Sequence, residues 1–301
     1  MLLKPFRQPR LTIFTRQKLW GLSFVLPAFL FFVVFAFYPM INAFLISLTQ
    51  YDLITPPKFV GLENYLRMMH DPRFRIVVKN TVGFVVGSSV PTWIISLGLA
   101  LVLAKNFTGR NFIRTLYFLP VIISGVVVSM VWRMLYHPFG PVNALIEPLL
   151  HVSPKWLTDK QIVPWAIIII NVWQAVGFYM VIFIAGLQNI PTDFYDAAKV
   201  DGANRLQSFW YVTLPLLKPT TLLVVVITII NAFQTFTYQY VLTKGGPSDA
   251  TNVISLYIYY NAFQYQYMGY ASAMSIVMFV VIMVLTLIQF RIVRSEEISY
   301  V

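Results

Sequence analysis

Six stretches of this chain contain no Asp, Glu, Lys or Arg: residues 19–51, 80–104, 115–132, 161–192, 219–243 and 250–290. A helix needs roughly 20 apolar residues to cross a bilayer, and the runs match that length. They predict helices at about 20–46, 80–104, 114–136, 163–187, 219–242 and 266–290. The chain is therefore read as an all-α polytopic membrane protein. Composition agrees, since 11% of residues are charged, against about 25% in soluble domains. The last run exceeds one span. Its first part, "ISLYIYYNAFQYQY" (254–267), is rich in Tyr, Asn and Gln and reads as interfacial.

Six spans put both termini on one side. If that side is the cytoplasm, it holds thirteen Lys and Arg: Lys4, Arg7, Arg10, Arg16, Lys18, Lys105, Arg110, Arg114, Lys199, Arg205, Lys218, Arg291 and Arg294. The opposite side holds nine, from Lys58 to Lys244. The bias favours cytoplasmic termini, chiefly through the arm before the first helix. That first run is too long for the apolar core of a signal peptide, about 7–15 residues, so it is expected to be retained. The net charge of +11 is spread over short loops and needs no nucleic-acid partner. The expected organisation is a cytoplasmic arm (1–18), a first helix with an external loop (19–79), a core of five helices with a cytoplasmic loop at 188–218 (80–294), and a tail (295–301).

The loops carry no enzyme constellation. His70, His137 and His151 all fall in predicted external loops and form no His-Glu-x-x-His pair, and no Cys is present. Lys244-Gly245-Gly246-Pro247 reads as a turn and lacks the Gly-Lys-Ser/Thr ending of a phosphate-binding loop. "ENYLRMM" in the first external loop predicts a short surface helix. Pro138, Pro141, Pro148 and Pro154 forbid a long regular element in the second. No ionisable residue lies in the middle of a predicted span. Proton-coupled carriers commonly need such residues as relays, so their absence argues against a proton symporter and points to another subunit as the energy source, while a sodium site made of carbonyls stays open.

One polar stretch is much longer than a return loop requires: "YDAAKVDGANRLQSFWYVTLPLLKP", residues 195–219. Ala197, Ala198, Lys199, Ala203 and Arg205 favour helix, with Thr192 or Asp193 as N-cap. Gly202 allows a tight turn between two short helices, or close approach by a partner. The residues alone leave two readings, a docking element and an amphipathic helix resting on lipid head groups.

The spacing of Asp196-Ala197-Ala198, Gly202 and Val212-Thr213-Leu214-Pro215 resembles the Glu-Ala-Ala, Gly, Ile-x-Leu-Pro pattern of inner-membrane subunits of binding-protein-dependent ABC importers. It differs by Asp for Glu and Val for Ile. "GLENY", "DPRF", "RTLYFLP" and "TKGGPSDAT" extend the resemblance to the sugar-importing branch of the maltose, multiple-sugar and glycerol-phosphate type, over essentially the whole chain. The resemblance implies a type I ABC importer permease fold in a bacterial or archaeal cell (inner) membrane. It also implies four kinds of partner: a homologous second permease, two ATPase subunits, an external substrate-binding protein and a sugar or polyol substrate. This chain would hold no cofactor, since ATP and Mg would bind the ATPase subunits. By resemblance, Asp196, Ala197, Ala198, Asp201, Gly202, Leu214 and Pro215 couple the chain to the ATPase, whose closure drives alternating access. A stand-alone ion-coupled carrier, a structural membrane scaffold and a glycerol-phosphate permease are the alternatives.

Transporter sites tend to lie near the midplane. There the fourth span has Asn171, Gln174 and Phe178 at helical spacing, and the fifth has Asn231, Gln234, Thr235 and Tyr238. Amides, hydroxyls and rings suit a neutral polyhydroxylated ligand. The same polar groups would equally suit bonds to a sister subunit's helices. Asn171 matches a position that contacts sugar in maltose-type permeases, while the residues at 231 and 235 differ from theirs.

Overall fold

The computed structural model describes residues 13–294. The expected arm (1–18, of which 1–12) and the tail (295–301) lie outside the described residues. All six predicted spans are present, one of them as a bent pair. The side opposite residues 13 and 294, expected to be external, is the outer side.

The first span is α1 (Ile13–Phe32) continued through a π turn (Val33–Phe37) into α2 (Tyr38–Ser47). Its apolar side chains are exposed on every face, including Trp20, Phe24, Phe31 and Phe35. Only its outer end meets the core, where Ser47 is buried. A two-stranded ribbon, β1 (Thr49–Gln50) and β2 (Lys58–Phe59), follows. Then comes the expected surface helix, α3 (Glu63–His70). Asn64 pins it by donating to the carbonyls of Ser47 and Thr49, both at 2.9 Å.

The second span, α4 (Pro72–Leu103), starts a full two turns before the expected position near 80. Asp71 caps it by accepting from the Arg73 and Phe74 amides at 2.9 and 3.3 Å, and Pro72 supplies a preset φ. Reading the span from its uncharged run alone omitted this charged first part, which carries Arg73, Arg75 and Lys79.

The third span is where expectation and structure differ most. A single helix over 114–136 was predicted. The chain instead forms α5 (Arg110–Ile122) and α6 (Gly125–Leu135), bent by 101° at the break. Ile123 and Ser124 are extended at ψ 136° and 135°. Pro120 in the last turn of α5 cannot donate a backbone hydrogen bond, which weakens continuation. Beyond it, α7 (Pro141–Leu150) is a short helix that tolerates Pro141 in its first turn and Pro148 in its last.

The fourth span, α8 (Val163–Gln188), is the centre of the molecule. Val163, Ala166, Ile167, Ile170, Met180 and Phe183 on it are at most 1% exposed, and α4, α5 and α12 pack around it. Gly177 lets α5 approach: a Cβ there would lie 2.0 Å from the Tyr117 carbonyl oxygen.

After α8 come α9 (Thr192–Val200), α10 (Arg205–Ser208), a π turn (Phe209–Thr213), α11 (Leu214–Leu216), α12 (Lys218–Gln234) and α13 (Thr237–Thr243). The fifth span is α12 plus α13, broken at Thr235–Phe236. The Lys244–Pro247 turn forms as predicted, with Lys244 and Gly245 at φ 52° and 85°. Next are α14 (Ile254–Tyr259), a π turn (Tyr260–Gln264) and the last span, α15 (Met268–Arg294). The 254–267 stretch is only half as expected. Ile254, Leu256, Tyr257, Tyr260, Asn261 and Ala262 are buried core residues, because the helical period turns them onto α4 and α15. Residues 263–267 are exposed.

Candidate functional site

Two places hold the residues singled out by the sequence. The first is a cavity of about 300 Å³ between α8 and the fifth span. Asn171, Gln174 and Phe178 reach it from one face of α8, as their spacing requires, and Asn231 and Tyr238 reach it from α12 and α13. Val121, Ala175 and Tyr179 complete the wall. Gln234 is exposed at the end of α12, and Thr235 sits half-buried in the break, its amide bonded to the Asn231 carbonyl at 2.9 Å. Neither lines the cavity.

The polar groups of the wall differ in their commitments. Gln174 is fully engaged by its own chain. Its Nε2 donates to the carbonyls of Pro120 and Ile123 at 3.1 and 2.7 Å, and its Oε1 accepts from the Tyr238 hydroxyl. At the α5–α6 break the Pro120 carbonyl keeps only a 3.3 Å bond from the Ile123 amide and the Ile123 carbonyl lies outside both helices, and a bent backbone within a membrane needs such partners. Gln174 is therefore the internal cap of the broken span. Asn231 Nδ2 donates to the Tyr179 hydroxyl at 3.2 Å, which leaves its carbonyl oxygen available. The Asn171 amide makes no hydrogen bond among the described residues. The wall thus offers donors and acceptors on Asn171 and Asn231, the Phe178 ring and no charge. The sequence reading missed Tyr179. Its signal was present, since it stands eight residues after Asn171 and so at helical spacing from it.

A second, larger cavity of about 940 Å³ runs between α4, α5 and α8. Its lining, which includes Pro91, Ile95, Leu116 and Trp173, has no charged side chain and almost no polar one.

The other place is the loop after α8. Helix α9 begins behind Pro191, with no side-chain cap; Thr192 and Asp193, the expected caps, are its first two residues. The helix is closed by Gly202 at φ 77°. The Gly202 amide bonds to the Lys199 carbonyl at 3.0 Å and the Ala203 amide to the Ala198 carbonyl at 2.8 Å. These paired bonds form a Schellman closure, in which glycine takes the left-handed position. The next helix starts immediately. Asn204 and Gln207 form a reciprocal capping box at 2.9 and 2.8 Å, a signal that the Asn-x-x-Gln spacing carried and the sequence reading did not use.

Two short helices therefore meet at Gly202–Ala203. Asp196 pairs with Lys199 at 2.7 Å. Asp196, Ala197, Asp201 and Gly202 are exposed, and Ala198, Leu214 and Pro215 are half-buried. The Tyr195 and Thr213 hydroxyls, 3.1 Å apart, tie α9 to the segment that enters the membrane. A Cβ on Gly202 would meet nothing of its own chain within 4 Å. Val200, Leu206 and Tyr211 are 88%, 68% and 79% exposed. The loop is thus a rigid projection with a bare apolar surface.

Residues 94–297 match the family described as "Binding-protein-dependent transport system inner membrane component". The chain is 40% identical over 283 residues to the probable ABC transporter permease protein YesP of Bacillus subtilis (strain 168), covering 92% of this chain and 91% of that protein. It is 35% identical over 287 residues to the trehalose/maltose transport system permease protein MalF of Thermococcus litoralis, covering 94% and 96%. Among solved structures it resembles a chain of a bacterial alginate ABC transporter in complex with an alginate pentasaccharide-bound periplasmic protein. That match has TM-score 0.80 and 25% identity, covering 93% of this chain and 96% of the other.

Proposed function

We infer the function from one premise: the chain belongs to the binding-protein-dependent transport system inner membrane components. It is a multi-pass permease subunit of an ABC importer of the sugar type, a translocation subunit rather than an enzyme. It works with a substrate-binding protein and an ATPase. This sets aside the stand-alone carrier and the scaffold.

The finer reading is that the substrate is a neutral sugar, oligosaccharide or polyol. The carrying observation is the uncharged cavity wall, where the Asn171 amide is unengaged beside Asn231 and Phe178. Amides that both donate and accept suit sugar hydroxyls, and the Phe178 ring suits the apolar face of a sugar. A phosphorylated substrate would need a cation, and none lines this cavity. Gln174 and Tyr238 shape the wall. Gln234 and Thr235, outside it, would contact substrate only in another state of the cycle.

A homologous second permease completes the pathway, and the bare faces of α1 require such a partner or lipid. Two ATPase subunits bind ATP and Mg. The 193–215 loop faces the cytoplasm and docks on one of them through Asp196, Ala197, Ala198, Asp201 and Gly202. Leu214 and Pro215 pass its movement to α12.

The test is a ligand screen of the cognate binding protein, followed by uptake into proteoliposomes holding the complete transporter. Asn171→Ala is expected to lower uptake at limiting substrate by about 3- to 10-fold, the worth of one neutral hydrogen bond, with the complex still co-purifying. Unchanged uptake would remove Asn171 from the site. Import of an anionic substrate alone would overturn the neutral-sugar reading.

A further inference from the structure

A row of aromatic rings leaves the break in the fifth span and runs to the outer surface. Phe236 lies in that break, five residues beyond Asn231 of the polar cavity. Its ring stacks on Tyr259 of α14 at 5.6 Å between centroids and 25° between planes. Tyr259 meets Phe263 at 5.5 Å. Tyr240 and Tyr260 back the row, 5.3 and 5.9 Å from Tyr259. The backing is anchored. The Tyr260 hydroxyl donates to the Lys244 carbonyl at 3.1 Å, and Ser255 donates to the Phe233 carbonyl at 2.5 Å. The π turn closes with the Tyr265 amide on the Tyr260 carbonyl at 2.9 Å, a widened turn of the kind that often re-aims side chains at functional sites.

The outer end of the row is bare. Phe263 is 65% exposed and Tyr265 43%, and the amides of Gln264 and Gln266 are exposed beside them. No charged residue occurs between 250 and 290. The nearby Arg67 guanidinium is committed to the Tyr267 and Tyr270 rings, at 4.8 and 4.5 Å from their centroids. Interfacial aromatics that serve only as membrane anchors have no need to touch one another, whereas here ring follows ring outward from the break in the fifth span.

We propose that Phe236, Tyr259 and Phe263 form a stacking platform for successive rings of a neutral oligosaccharide at the outer mouth of the pathway, leading to the Asn171–Asn231 cavity. The inference rests on the neutral-sugar reading and deepens it to substrates of several units. Phe236 and Tyr259 are half-buried and turn one face to each other, so the bare Phe263 ring is the first to offer its negative face to the slightly positive C–H face of a sugar. Each step along the row is about the width of one sugar ring, and Gln264 and Gln266 supply neutral donors and acceptors to its hydroxyls.

The experiment uses the complete transporter in proteoliposomes, with two pairs of probes: maltose and maltohexaose, and arabinobiose and arabinohexaose. The readout is the ratio of six-unit to two-unit uptake. Phe263→Ala, at an exposed position, is expected to lower that ratio about fivefold, the scale of one aromatic contact, and Phe263→Trp to preserve it. An unchanged ratio, or import restricted to two-unit sugars, overturns the platform and leaves the neutral-sugar reading standing. A loss of assembled complex with an unchanged ratio assigns the row to a subunit interface and also overturns it. If the transporter imports neither series and takes an anionic substrate, the neutral-sugar reading falls, and the platform falls with it.

Discussion

Asn171 and Gln174 stand one turn apart on the same face of α8 and have opposite situations. The Asn171 amide is unengaged, whereas Gln174 serves two carbonyls and one hydroxyl. The same residue class at helical spacing thus divides into an unengaged amide and a structural cap. Gln174→Leu keeps the volume and removes all three bonds. It leaves the Ile123 carbonyl and the Tyr238 hydroxyl without this partner and the Pro120 carbonyl with only the Ile123 amide at 3.3 Å, an expected loss of about 1–3 kcal/mol. A clear drop in the melting temperature of the purified protein in detergent checks this. A variant that melts like the parent would mean that the α5–α6 break holds itself. Asn171→Ala is expected to leave that melting temperature nearly unchanged and to act on uptake.

At the scale of the element, the loop after α8 is stiff because two motifs close it from either side, the Schellman bonds at Gly202 and the capping box at Asn204. A β-branched residue at φ 77° is strained, while asparagine tolerates the left-handed region. Gly202→Val is therefore expected to distort the joint, weaken co-purification of the ATPase and reduce substrate-stimulated hydrolysis several-fold. Gly202→Asn should retain most of both. The membrane level of the permease should hold in each, because no span is altered. Full retention of both by Val as well as Asn would show that backbone geometry at 202 does not matter. Loss with Asn as well as Val would point to bulk at the docking surface instead.

At the scale of the molecule, the outer loop is fastened to the second span by contacts between residues far apart in sequence. The Arg73 guanidinium donates twice to the Asp249 carboxylate, at 2.9 and 2.8 Å, and Asn80 donates to the Asp249 and Asn252 carbonyls at 2.6 and 3.1 Å. Burial pushes the Asp249 carboxyl up, but the bonds from Arg73 and Asn252 outweigh it and hold the group below its ordinary value. A carboxyl depressed in the folded state stabilises the fold above the unfolded value, about 4, and loses that contribution as pH falls through the folded value. The melting temperature of the parent should therefore fall more steeply than that of Asp249→Asn as pH drops below about 4. Parallel pH profiles would mean that the fastening does not contribute. Above about pH 5 neither protein should change through this group.

The number of spans, their ends to within a few residues in most cases, and the uncharged character of the cavity wall could be read from the sequence alone. These follow from what a bilayer demands of consecutive residues, namely long apolar runs without charge. The turn at Gly202 was readable for a similar reason, since the backbone conformation there is a local property of one glycine. What depended on distant partners was not readable. The α5–α6 bend is stable because Gln174, some fifty residues later, takes the carbonyls at the break. The burial of Tyr257 and Tyr260 depends on where α4 and α15 lie, and the Arg73–Asp249 pair joins residues 176 positions apart. Periodicity shows which residues share a face of one helix. Which of those side chains are satisfied by another helix, and which remain for a ligand, was decided only when the helices packed.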